Sequence, residues 1–243
     1  MKMMRFAGRN TKEILRDKLN LIFGLGFPLV LLFLLTAIQA NIPVSLFELS
    51  NLTPGIAVFG LSFVSLFSSV LIAKDRGSSF MVRLFASPLT ASDFIAGYTL
   101  PLLPMAVGQT VVCFIAAVAL GMTFSANILM VLVVLLPCDV LFISLGLLCG
   151  SIFNDKQVGG ICGALLTNLT AWLSGTWFDL DLVGATFRAI ANALPFVHAV
   201  DAGRAALSGD FAAIFPDLWW VIGYAAVTFA AAVLAFRKKM AGD

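Results

Sequence analysis

Long apolar runs separated by short polar ones set the pattern of this chain. Six stretches are apolar over twenty or more residues: Leu19–Ile38, Leu52–Ile72, Phe94–Leu120, Ile128–Ile152, Val158–Phe178 and Phe215–Phe236. A helix rises about 1.5 Å per residue, so about 20 residues cross a hydrocarbon core of roughly 30 Å. The runs are continuous rather than alternating, which points to spanning helices and against barrel strands. Met3 to Lys18 mixes Met4, Phe6, Ile14 and Leu15 with a series of basic residues that starts at Lys2. That pattern predicts a helix lying in the membrane interface; the plainer alternative is a basic flank for the first span. A basic start followed by an apolar run also resembles a secretory signal. The run from Leu19 to Ile38 is longer than a signal core of about 7–15 residues, so it reads as an uncleaved first span.

Composition agrees with the pattern. Of 243 residues, 60% are hydrophobic and 12% charged, and the mean hydropathy is +1.02. Soluble domains usually carry about 25% charged residues. The chain therefore reads as one all-α integral membrane domain over residues 1–243. The charges are unevenly placed. With the N-terminus inside, all of the 15 Lys and Arg except Arg188 and Arg204 fall in inner segments. The positive-inside rule then places both termini in the cytoplasm of a multi-pass cell-membrane protein. The basic residues cluster at membrane edges without interleaved aromatics, which gives no sign of nucleic-acid binding. Cys113, Cys138, Cys149 and Cys162 all lie in apolar segments with no C-x-x-C spacing. They read as packing residues, with neither a disulfide nor a metal site indicated.

The connections differ in kind. Phe153 to Gln157 is short and predicts a tight hairpin between the fourth and fifth spans. Gly146 and Gly150 flank it on one side, Gly159 and Gly163 on the other; both pairs have the spacing that lets helix backbones approach. The outer segment Asp179–Ile214 places Val183, Phe187, Ile190 and Leu194 at helical spacing, and Pro195 then breaks the run. Two short helices dipping into the outer leaflet are expected there, the second over about His198–Leu207.

Motifs for independent chemistry are missing from the sequence. It has no G-x-x-x-x-G-K-[ST], no G-x-S-x-G and no H-E-x-x-H. His198, the single histidine, has no obvious partner in sequence. One ionisable residue lies deep in a span: Asp139, beside Pro137. A charged carboxylate there would cost about 2.5–3.5 kcal/mol. It reads either as a polar point on a transport pathway or as an interhelical hydrogen bond at the proline kink. Pro101 and Pro104, with Gln109 beyond, mark a bend in the third span.

Two spans carry stripes that suit a binding cavity. Phe59, Phe63 and Phe67 recur every four residues on the second, with Ser62, Ser65 and Ser69 on a neighbouring face. Leu165, Asn168, Leu169 and Trp172 stack on the fifth. Aromatic surface with scattered hydroxyls and an amide suits an amphipathic organic molecule. Packing phenylalanine is the alternative in a chain with 22 Phe.

The polar stretch Ala73–Asp93 carries the most specific signal. KDRGSSFMVRLFASPLTASDFIAGYTL resembles the segment after the second span of ABC-2 type permeases, the membrane subunits of ABC exporters. The features of the resemblance are the charged cluster Lys74-Asp75-Arg76-Gly77, the small turn Ser78-Ser79, the Arg83-Leu84 centre of a short helix, and the step Ser87-Pro88-Leu89-Thr90. The glutamate common before the glycine turn in that family is replaced here by the Lys-Asp-Arg run. RNTKEILRDKLNLIFGLGFPLVLLFLL, with Pro28, is similar to the family's interfacial helix and first span. Pro195 followed by Asp201-Ala202-Gly203-Arg204-Ala205 resembles its outer segment.

The resemblance implies a division of labour. Two permease chains, identical or related, pair in the bilayer. Each docks one of two ABC ATPase subunits, which bind ATP and Mg, so that this chain needs no cofactor of its own. Arg9, Lys12, Asp75, Arg76, Ser79, Arg83, Leu84 and Pro88 would form or support the coupling surface. The second and fifth spans would line a cavity at the dimer centre, with Phe59, Phe63, Phe67, Asn168 and Trp172 facing it. Outward release would pass the short outer helices. The expected cargo is an amphipathic or hydrophobic compound such as a drug, an antibiotic or a lipid-like molecule. Export of a lipid-linked glycan and ATP-independent secondary transport are the alternatives.

Overall fold

The computed structural model describes residues 2–43, 45, 47–78 and 90–240, and among these the regular structure is helical throughout. Helix α1 spans Lys2–Arg16, α2 Lys18–Gln39, α3 Leu49–Arg76, α4 Ala91–Ala119 and α5 Asn127–Ile152. A broken helical run follows: α6 Asp155–Val158, a π-helical segment Gly159–Leu166, and α7 Thr167–Leu173. A 3-10 turn at Leu180–Leu182, α8 Ala185–Asn192 and α9 Pro195–Ser208 lead into α10, Phe211–Met240. Among the described residues, five single helices (α2, α3, α4, α5 and α10) are long and apolar enough to cross a membrane.

The fifth expected span, Val158–Phe178, takes other bounds. The helical run starts at Asp155 and stops at Leu173, in segments of 4, 8 and 7 residues. At the α-helical rise that is about 28 Å at most, close to the roughly 30 Å hydrocarbon core, and it leads from the Arg76 end of α3, at Phe153, to the Asn51 end, at Gly175. It ends because Gly175 takes a left-handed φ of +65°, the usual way to stop a helix. Asn154 starts the run with a capping box: its side chain accepts from the Gln157 amide, and the Gln157 side chain accepts from the Asn154 amide.

Helix α3 is the hub. It is buried over most of its length and packs against α2, α4, α5, the π segment, α7 and α9. Small residues allow this. A Cβ at Gly150 would lie 2.5 Å from the Ser69 carbonyl oxygen, and one at Gly146 would strike Ser65 and Ser68. The Ser68 hydroxyl donates to the Ile143 carbonyl across the same seam. The second predicted pair behaves differently: a Cβ at Gly159 meets nothing within 4 Å, and one at Gly163 only touches Leu66. Spacing alone identified a small face on each helix, and only the first of these is covered.

The outer segment forms the two expected short helices, with corrected bounds. Pro195 breaks the first helix by starting the second: it sits in the first turn of α9, where its missing N–H costs nothing. Most of α9's apolar face is buried against the protein itself, on α3, α5 and α10. Leu182, Val183 and Ile190, around α8, remain exposed. His198 is not without partners. Its Nδ1 lies 2.6 Å from Asp217 and its Nε2 2.9 Å from the Asn192 carbonyl, and its ring stacks on Trp220 at 5.1 Å. Asp217 is nineteen positions away in sequence, beyond the reach of any local pattern. The histidine ties the outer helices to α10.

Candidate functional site

At the end of the bundle where α3 finishes, three consecutive charges take three separate jobs. Successive helical residues point about 100° apart, so neighbours in sequence do not share a face. Lys74 leans toward Asp17 at 4.0 Å. Asp75 points inward and is 5% exposed. Its carboxylate accepts from both Arg9 nitrogens, at 2.5 and 2.8 Å, and from the Tyr98 hydroxyl at 2.8 Å. Arg76 turns the other way and donates to the carbonyls of Gly150 and Phe153, at 2.6 and 3.1 Å. Those are terminal carbonyls of α5 that its own helix cannot satisfy.

Helix α1 is bound to this corner by its inner face. Phe6 packs edge-on against Tyr98 at 4.9 Å and Phe94 at 5.7 Å. Asn10 is buried and donates to the Gly97 carbonyl at 3.1 Å. Burial opposes the Arg9 charge, but the hydrogen bonds and charge of Asp75 outweigh it and raise the arginine's pKa. The opposite face of α1, with Arg5 and Lys12, stays exposed. Helix α10 reaches the same corner, where the Phe236 ring lies 5.2 Å from Phe94.

The coupling residues expected from sequence therefore divide. Arg9 and Asp75 form an internal latch, and Arg76 clamps the end of α5. Lys12 is free to meet a partner. Ser79, Arg83, Leu84 and Pro88 lie outside the described residues. The loop is shorter than the stretch Ala73–Asp93, because α3 continues to Arg76 and α4 begins at Ala91. Thr90 and Asp93 close its far end in a capping box.

The two expected cavity stripes differ in exposure: Phe59 and Phe67 are buried, whereas most of the second stripe is exposed. Phe59 and Phe63 form an aromatic cluster with Phe27 of α2 and Trp177, with centroid distances of 5.4–6.3 Å. Phe67 sits apart from that cluster, its ring against Gly24. Ser62, Ser65 and Ser69 are fully buried. The Ser62 and Ser69 hydroxyls donate to carbonyls of their own helix. On the π segment and α7, Leu165, Asn168 and Trp172 are exposed, Trp172 at 57%, while Leu169 is half-buried against the core. The Asn168 amide donates to the Ala164 carbonyl at 2.8 Å.

Three buried polar groups stand out. Ser65 Oγ, Gln109 Oε1 and Asp139 Oδ1 have no hydrogen-bond partner among the described residues. Gln109 fills the space left by Gly60 on α3 and donates to Cys113 Sγ at 3.3 Å. Near the other end of the bundle, Trp177, Phe178, Asp179, Asp201 and Arg204 border a polar cleft of about 500 Å3. Arg204 donates there to the Asn51 and Gly175 carbonyls and pairs with Asp201. Arg188 pairs with Asp181. Sequence reading missed this lattice, because its members come from four separate segments.

Comparison with curated proteins and with solved structures finds no match. The ABC-2 type transporter family matches residues 3–208, from α1 through α9. Helix α10 lies beyond the match but packs extensively on α5 and α9 as part of the same bundle. Spanning helices, a latched helix α1 and a match over most of the chain agree: this is a multi-pass membrane protein of the ABC-2 type transporter family, whose permeases work with ABC ATPase subunits.

Proposed function

We propose that the chain is the permease subunit of an ATP-driven exporter that moves an amphipathic or hydrophobic compound outward. Two permease chains pair, and each docks one ATPase subunit carrying ATP and Mg. Both termini face the cytoplasm of a cell membrane. The observation that carries this reading is the corner at Asp75. Three elements (α1, α3 and α4) are locked there by Arg9, Asp75 and Tyr98, and the loop of the family resemblance leaves directly from it at Gly77. A push on that loop would be delivered to a rigid unit rather than lost in local bending.

The charge distribution supports the orientation. Arg188 and Arg204 lie at the Asn51 end of α3, and the remaining described basic clusters lie at the Arg76 end. The exposed aromatic surfaces support a pairing face. Phe27 on α2 and Trp172 on α7 are large apolar groups left uncovered in a single chain, as expected of a cavity completed by a second chain. The direct test is transport in vesicles holding the chain with its ATPase. ATP-dependent accumulation of an amphipathic compound supports the reading; uptake driven by an ion gradient without ATP overturns it.

A further inference from the structure

We infer that the cavity at the α1–α2 corner binds a zwitterionic phospholipid from the leaflet that helix α1 faces. The cavity holds about 350 Å3, within the size range of sites for small organic ligands. Its inner wall is apolar: Leu21, Phe67, Val70 and Met105 come from α2, α3 and α4. Phe67 is fixed in place by Gly24, where an added Cβ would lie 2.8 Å from the ring's Cζ. The rim carries both signs of charge, with Glu13 and Asp17 against Arg16 and Lys74, while the third carboxylate of the lining, Asp75, is already met by Arg9.

Asp17 caps α2, accepting from the Asn20 amide and side chain at 3.3 and 2.7 Å, and its charge, like those of the other rim residues, has no close ionic partner. Lys74 and Asp17 approach only to 4.0 Å. Glu13 meets Arg9 at 3.7 Å, while Arg9 is committed to Asp75 at much shorter range. Arg16 is exposed and makes no ion pair among the described residues. Two cations can hold a phosphate and two carboxylates an ammonium, each by charge-assisted hydrogen bonds. A lone anion would face both carboxylates, and a lone cation both basic side chains. The balanced rim therefore selects a zwitterion, and the apolar wall selects one with a hydrocarbon body. The position agrees: interfacial α1 ends here, and exposed Ile22 and Phe23 follow at once on α2. A ligand here would sit with its head in the interface and its chains toward hydrocarbon. It would also touch Asp75, the residue that locks the corner. The inference does not depend on export or on the identity of the cargo.

The test is photo-crosslinking of the purified full chain by a phosphatidylethanolamine whose acyl chain carries a diazirine, with the labelled peptides mapped by mass spectrometry. Label is expected on segments containing Leu21, Val70 and Met105. Unlabelled phosphatidylethanolamine should compete about tenfold better than phosphatidylglycerol, a factor equal to about 1.4 kcal/mol. Val70→Trp, which fills the cavity, should cut the labelling about fivefold, while Leu129→Trp on an exposed face of α5 leaves it unchanged. Equal competition by phosphatidylglycerol, displacement by inorganic phosphate alone, or label spread evenly over exposed α2 and α10 would overturn the inference. The competition arm uses unaltered protein, so it decides the matter even if Val70→Trp fails to fold.

Discussion

Asp75 illustrates how much one residue's direction matters. In sequence, Lys74-Asp75-Arg76 is a single polar cluster at the end of an apolar run, and it reads as surface. In the bundle, Asp75 is buried, Arg76 caps a different helix and only Lys74 stays largely outside. The order of charges is legible from the sequence. The face each one takes depends on where α3 sits among its neighbours, which no local pattern records. Removing one member of a buried ion pair typically costs about 3–5 kcal/mol. Arg9 keeps 34% of its side chain exposed, so Asp75→Ala is expected to cost about 2–4 kcal/mol, that range lowered by solvent screening. Thermal unfolding of the purified protein should show a Tm several degrees lower, and Asp75→Asn should lose less. In a double-mutant cycle, Arg9→Ala and Asp75→Ala together should destabilise by clearly less than the sum of the singles. Additive losses would remove the latch from the account.

At the scale of elements, the seam between α3 and α5 is set by two glycines, and the hairpin after it by a change of helix type. Gly150→Val should abolish stable protein, since its side chain would enter the backbone of Ser69. Gly159→Ala, which meets open space, should stay within about 0.5 kcal/mol of the parent. Fluorescence size-exclusion profiles of the two variants compare them directly; similar profiles would contradict the packing described. The identical four-residue spacing of both pairs was visible in the sequence, whereas the cover over only one of them was not. The bounds of the fifth run were obscured for a related reason. Hydropathy does not distinguish an α turn from a π turn, and it does not register the left-handed stop at Gly175. The outer helices were better marked, since Pro195 and the spacing of Phe187 and Ile190 are local signals. The partners of His198 were out of reach, because stacking on Trp220 joins separate elements.

For the whole molecule, the sequence disclosed the class and the family, because hydropathy and ordered motifs are properties of the chain itself. The proposed cavity was legible only as two stripes; Phe59 and Phe67 are buried in the single chain, while Leu165, Asn168 and Trp172 are exposed. Phe63→Ala is therefore expected to change which compounds stimulate ATP hydrolysis by the complex, with little loss of Tm, since Phe63 is only half-buried among Phe27 and Phe59. An unchanged compound profile would favour a packing role for the aromatic stripe. For Arg83→Ala, in the loop that leaves the Asp75 corner, the complex should still assemble while hydrolysis no longer responds to the cargo. Normal stimulation would place the coupling elsewhere. The most direct measurement is purification of the tagged chain from native membranes, followed by an assay of ATP hydrolysis and transport. A stoichiometric ABC ATPase that co-purifies and drives transport is the predicted result. A chain that purifies alone and transports without ATP would contradict the account.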